Sequence, residues 1–332
     1  MLTTVRTSIF FLYLTFFIFN EVDIISGQGE LREVIVSHTD EKNILQLYRM
    51  RENGTNSLQI THSKNGCQMP SCSPNGKKIS YTEQIDNGLA LRISDINGEN
   101  TRTLIHEGMN LMPSWLPDSV HIVWMKVRPS PKHDPATNSQ LHIVNTKTGQ
   151  SRLLFTDKEQ LKFSNSMPSV SPRGDQIAFV SNRSGSMRVW TSDLDGSNAR
   201  LASNPESDYH EKIKAPIEQK VPSWSPDGKW IAHWEGVEMI HMSKFTGKND
   251  PQRDQMIAST FHVWVVSRDG KKRKRFGKGD DPTWSPDGYV TRAFPDPKRG
   301  GPKVMIDTGA GQKELTIVPR KRNWGRFAWI PK

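Results

Sequence analysis

Along most of this chain apolar and polar residues alternate in short stretches broken by Gly, Asn, Asp or Pro, and period-two alternation over four to eight residues is the mark of a half-buried β-strand. Six segments show it twice in succession around a Gly-containing turn, starting at Ile44, Leu89, Leu141, Met187, His262 and Lys303. Each reads as a hairpin. A second kind of segment follows each hairpin: MPSCSPNGKKISYT from Met69, MPSWLPDSVHIVW from Met112, MPSVSPRGDQIAFVS from Met167, VPSWSPDGKWIAHW from Val221, DPTWSPDGYVTRAF from Asp281, and RFAWIPK from Arg326. These core segments align without gaps on one proline, at 74, 117, 172, 226, 286 and 331, in steps of 43, 55, 54, 60 and 45 residues. In each, Pro presets φ for a turn and Gly supplies φ > 0, so Val221–Trp224 reads as an inner strand, Pro226–Gly228 as a corner, and Trp230–Glu235 as a second strand. Core segment and hairpin together make four strands, and a period of about 40 to 60 residues is that of propeller blades.

The motif P-S-W-S-P-D-G-K-W-I-A at Pro222–Ala232, with its five relatives, resembles the repeat of TolB-like (PD40) propellers from about residue 31 to the end. The resemblance implies the fold, a periplasmic or secreted location and a habit of binding. TolB also carries an N-terminal α/β domain, for which this chain has no room, so the resemblance does not carry over TolB's own role. The sixth core segment stops after one strand at Pro331. Three strands near the N-terminus, at Arg32–Ser37, Ile44–Met50 and Ser57–Ile60, are expected to complete that blade. The expectation is an all-β, six-bladed β-propeller over residues 29–332, closed by N-terminal strands that leave no open edge.

Sorting the connections by face is informative. Turns such as Pro226–Lys229 and Asp193–Ser197 are short, whereas the long insertions Lys126–Gln140, Ser203–Lys220 and Gly236–Phe261 are all expected on the opposite face. Long loops in a compact fold carry function. Their candidate binding residues are His133, Asp134, Asp208, Tyr209, His210, Glu211, Lys212, Glu235, Glu238 and His241. Imidazoles and carboxylates together suit metal ligation or acid–base work, yet no H-E-x-x-H spacing occurs, so the set is compositional. His233 and Arg292 join it, because they replace Tyr81, Trp124 and Phe179 at the apolar position of the second strand. Both are expected to share one site beneath the loops, with Asp280 or Asp281 as partner to the arginine.

At its start the chain has Arg6 before an apolar run from Ile9 to Phe19, too short to span a bilayer, which reads as a signal peptide over residues 1–28. No transmembrane segment is then expected in the mature chain. Export would permit Cys67 and Cys72 to pair if the chain between them turned sharply, and no C-x-x-C-H exists to attach haem. The net charge of +10 peaks at Lys271–Arg275 and Arg320–Arg322, which suits an acidic partner, a protein or an acidic glycan. An exported chain with no recognisable reading module does not point to nucleic acid.

The leading functional expectation is a non-catalytic binding or scaffold propeller with no cofactor. The alternatives are a polysaccharide lyase resembling the oligogalacturonate lyases, which would need a divalent metal, and a propeller subunit of a larger exported enzyme. A propeller-bearing serine peptidase would need a hydrolase domain with a G-x-S-x-G elbow, which the sequence lacks.

Overall fold

The structure, a computed structural model, describes residues 31–128, 138–205, 207, 209–212, 214–237, 259–296, 301–308, 310–318 and 324–332. The leader, the Arg320–Arg322 cluster and the positions His133, Asp134, Asp208, Glu238 and His241 lie outside them.

Alternating sequence becomes β-strand almost throughout. In chain order the strands are β1 (Glu33–Thr39), β2 (Leu45–Arg51) and β3 (Leu58–Gln59); then β4 (Cys67–Cys72), β5 (Lys78–Ile85), β6 (Gly88–Asp95) and β7 (Arg102–Ile105). Next come β8 (Met109–Trp115), β9 (His121–Val127), β10 (Ser139–Asn145) and β11 (Ser151–Leu153), followed by β12 (Asn165–Val170), β13 (Gln176–Ser181), β14 (Arg188–Asp193) and β15 (Arg200–Leu201). A short β16 (Tyr209–His210) precedes β17 (Ala215–Trp224), β18 (Trp230–Val237), β19 (His262–Ser267) and β20 (Arg273–Lys278). Last are β21 (Asp280–Trp284), β22 (Val290–Asp296), β23 (Gly301–Thr308), β24 (Gly311–Leu315) and β25 (Trp324–Trp329).

Within each core-plus-hairpin unit the strands pair antiparallel in sequence order. The units of β4 and β8 are joined into one eight-stranded sheet by a single parallel bridge, Leu89 to Met109, so the strands form five sheets rather than one per unit. The architecture is an all-β propeller: β4 packs beside β8, β8 beside β12, β12 beside β17, β17 beside β21, β21 beside β25, and β25 beside β4. β25 pairs with β1, Val34 opposite Trp329 and Val36 opposite Phe327, so the first and last strands share one sheet with β2 and β3.

The core lies between the sheets, in separate clusters. Phe179, fully buried, packs edge-on against Phe155 of the preceding unit, and Trp124 sits among Leu91, Ile93 and Trp115. Burying such a ring stabilises the fold by about 1.5–3 kcal/mol. At the corners, Gly228 (φ +68°) donates its N–H to Ser225 O at 2.9 Å, while Ser225 Oγ donates to Asp227 Oδ1 at 2.6 Å and accepts from Trp230 N at 2.9 Å. Units are tied to one another through the inner strands. Ser114 Oγ accepts from Val170 N, Ser169 Oγ from Trp224 N, and the indoles of Trp115 and Trp284 donate to Ser71 O and Ser223 O.

Every inner strand carries a bulge. The register shifts at Met69–Pro70, Met112–Pro113, Met167–Pro168, Val221–Pro222 and Asp281–Pro282, and β25 shifts at the same place opposite Ser37. The five residues before those prolines have φ between 45° and 54°. A bulge orphans backbone groups, and proline has no N–H to orphan, which is why it fits there.

Three expectations need correction. The stretch 203–220 is not a loop throughout, because Ile217–Lys220 pair with Trp234–Val237 of β18 and extend the inner strand to ten residues, capped by the β16 hairpin. Cys67 and Cys72 are both free, at opposite ends of the extended strand β4, about 16 Å apart at 3.3 Å per residue, beyond disulfide reach. The third concerns His233 and Arg292.

Candidate functional site

His233 and Arg292 both point at the unit that precedes their own, as Phe179 does, and therefore lie on opposite sides of the sheet of β17–β20. His233 is fully buried; its Nδ1 donates to Trp234 O at 3.4 Å, so Nε2 accepts from Ser203 Oγ at 3.2 Å. Burial, with the nearby Arg273 charge, holds its pKa down at about 3. Arg292 is 4% exposed and lies against Gly277 of β20, whose absent side chain would overlap the guanidinium. Its partner is Asp307, at 3.2 Å, and not Asp280 or Asp281, because Val290 pairs with Asp307 and places that carboxylate diagonally beside Arg292 on the same face. The two residues form no shared site. Each is a polar plug within its own gap, His233 with both ring nitrogens hydrogen-bonded and Arg292 ion-paired with its Nε left without a hydrogen-bond partner.

At the axis, the bulged residues Met69, Met112, Met167, Val221, Asp281 and Arg326 line a channel of about 240 Å³. Arg326 ion-pairs with Asp281 and reaches the Met112 sulfur. Burial and the neighbouring Asp281 push the Asp280 carboxyl up to about 7.

A second cavity, about 310 Å³, opens at the far end of β18 against the sheet of β17–β20 and β16, where the long connections begin and end. His210, Glu235, His262 and Arg275 line it, with Trp264 and Thr260. Of the expected loop residues, His210 is half-buried here, Glu211 and Lys212 are exposed beside it, and Tyr209 lies in β16. Glu235 is not a loop residue; it sits in β18 opposite Gln219 and His262. Its Oε2 accepts from Arg273 at 2.6 Å and Gln219 Nε2 at 3.1 Å, and Arg273 stacks over the Trp264 ring at 3.6 Å. His262 Nδ1 donates to Thr260 O at 2.8 Å, which fixes the tautomer whose Nε2 accepts from Arg275.

His262, Trp264, Arg273 and Arg275 were not singled out from sequence as cavity residues. They are ordinary alternating positions of a hairpin, and only the outward run of cations marked them. The electrostatic consequence is that His262 Nε2 and Glu235 Oε2 are already engaged by Arg275 and Arg273, which fixes these groups in place. Among the described residues no three His, Cys, Asp or Glu side chains converge as metal ligands, and no helix is long and apolar enough to cross a membrane.

A family model described as the TolB beta propeller domain matches residues 30–290. A TolB homolog of Chlorobium luteolum is 29% identical over 160 residues, 48% of this chain and 34% of that protein, so the chain spans about a third of that relative's length. Among solved structures, TolB from Acinetobacter baumannii has a TM-score of 0.67 at 17% identity, covering 91% of this chain and 67% of that one. An oligogalacturonate lyase in complex with manganese has a TM-score of 0.54 at 14% identity, covering 86% of this chain and 74% of that one. At these identities the structural likenesses speak for the fold alone.

Proposed function

Because the chain belongs to the TolB beta propeller domain family, we propose that it is an exported binding propeller of six four-stranded blades that engages a protein or glycan partner at its long-loop end and performs no chemistry itself. The six-blade count is supported by the six aligned core segments and by the lone bridge that merges two units into the eight-stranded sheet. Export, to the periplasm or outside the cell, is supported by the Arg6 and Ile9–Phe19 leader.

One observation carries the binding reading: in the cavity at the end of β18, Glu235 Oε2 and His262 Nε2 are occupied by Arg273 and Arg275. A catalytic base needs an unengaged acceptor facing substrate, whereas a recognition site needs groups already held in place. A photo-crosslinker at the exposed Lys212, beside the cavity, is expected to capture a specific partner from the exported fraction, and one at exposed Lys147, on a turn of the other end, is not. Equal capture from both positions, or none from Lys212, contradicts the reading. Release of unsaturated uronates from acidic polysaccharide by the purified chain would replace it with the lyase.

A further inference from the structure

The other end of β18 holds a different surface. Where β18 begins, three short turns of two neighbouring units, with the start of β15, enclose a furrow of about 620 Å³ bordered by Arg173, Arg200, Lys229, Arg268 and Lys272. Its one lining carboxylate, Asp269, is occupied by its own turn, accepting from Ser267 Oγ at 2.6 Å and Lys271 N at 3.0 Å. Two of the arginines are pinned. Arg268 pairs with Asp175 at 2.6 Å, lies over the Trp224 ring at 5.6 Å, and through its carbonyl holds the Arg200 guanidinium. Arg173, Lys271 and Lys272 are exposed and have no carboxylate partner among the described residues. The furrow thus combines Arg200, held in place and with no carboxylate partner among the described residues, with the rim cations Arg173 and Lys272, whereas Arg268 is neutralised by Asp175 and Lys229 pairs with Asp227 at 3.5 Å.

We infer that this furrow binds a strand of acidic polysaccharide through its repeated carboxylates. Charge selects an anion, and the planar Arg200 guanidinium, held by the Arg268 carbonyl, matches a carboxylate at little entropic cost. Shape narrows the class. A folded acidic protein needs about 800 Å² of matched surface on its side of a stable interface, whereas a furrow of about 620 Å³ lined by ten residues between turns has room for a single thin chain. A flexible acidic peptide must be ordered on binding, which a stiff glycan largely avoids. The inference does not rest on the long-loop reading, because Trp230 at the furrow and Gly236 at the other cavity are six residues apart along β18, about 20 Å.

The test is affinity electrophoresis of the full chain in gels containing alginate, neutral dextran or poly-L-glutamate, with melting temperature as the control for folding. Retardation is expected with alginate, weakened by salt, and absent with dextran. Arg173→Gln, Lys229→Gln and Lys272→Gln together, all at exposed side chains, are expected to weaken alginate binding by about tenfold with an unchanged melting temperature. His210→Ala at the long-loop end is expected to leave it unchanged. Equal retardation by poly-L-glutamate would reduce the furrow to a general anion surface or an acidic-protein site and overturn the glycan assignment. Full alginate binding by the triple variant, or its loss in His210→Ala, would overturn the location.

Discussion

Burial keeps the His233 imidazole neutral in the folded chain down to about pH 3, whereas its ordinary value is near 6.5. The unfolded chain therefore binds a proton that the native one refuses. Stability from this residue is complete above pH 6.5 and is lost progressively as the pH falls toward 3. His142, held at about 4 by burial and by Lys126 and Arg128, acts in the same direction. His233→Phe, which restores the aromatic of the neighbouring units, is expected to flatten the fall in melting temperature between pH 6.5 and 4 without abolishing it. An unchanged slope would show that the buried imidazole is not the group responsible. Arg292 makes the opposite kind of prediction, since removing its partner strands a charge. Asp307→Ala is expected to cost about 3–5 kcal/mol in denaturant unfolding, and Arg292→Met with Asp307→Leu to recover most of it. A double variant as unstable as the single one would mean that packing, not charge, is what Asp307 supplies. From sequence, both residues stood out as polar intruders, which they are. Their partners were not legible, because Ser203 and Asp307 come near only through strand register and the packing of one unit on the next.

Among elements, the inner strands were the most legible, since the corner prolines and the Ser-Pro-Asp-Gly turns fix where they end. What stayed hidden was the bulge at their middle. The repeated Met-Pro and Val-Pro pairs were visible, but nothing in a period-two pattern announces a residue at positive φ. Val221 is the most costly case: a β-branched side chain at φ +53° is disfavoured by about 1–2 kcal/mol. Val221→Asn is expected to stabilise the protein by about 1 kcal/mol, because asparagine tolerates this conformation and the side chain faces the channel. A loss of similar size on chemical denaturation would show that the valine's packing outweighs its backbone. The long connections stand out in the sequence as departures from the repeat, but 215–220 is strand, and Glu235, which the repeat already places in the second strand, faces the cavity from there. The polar run Glu218–Lys220 does not announce a strand, which is set by its pairing with Trp234–Gly236 of β18.

At the scale of the whole molecule, the account turns on how the first and last strands meet. β25 brings one inner strand, and β1, β2 and β3 supply the rest of its sheet. Arg32 reinforces the seam, pairing with Glu52 at 2.6 Å and with Asp287 of the neighbouring unit at 2.9 Å, over the Trp329 ring. This closure was legible because the sixth core segment ends after one strand and three unassigned strands stand at the other end of the chain. The proposed furrow lies between adjacent units and so depends on the circuit of inner strands staying shut. Thermal unfolding of a chain lacking residues 31–60 tests this most directly. With the partners of β25 gone and two sheet edges opened, the account predicts loss of the cooperative transition. A truncated chain that melts in one sharp transition near the full-length temperature would contradict it.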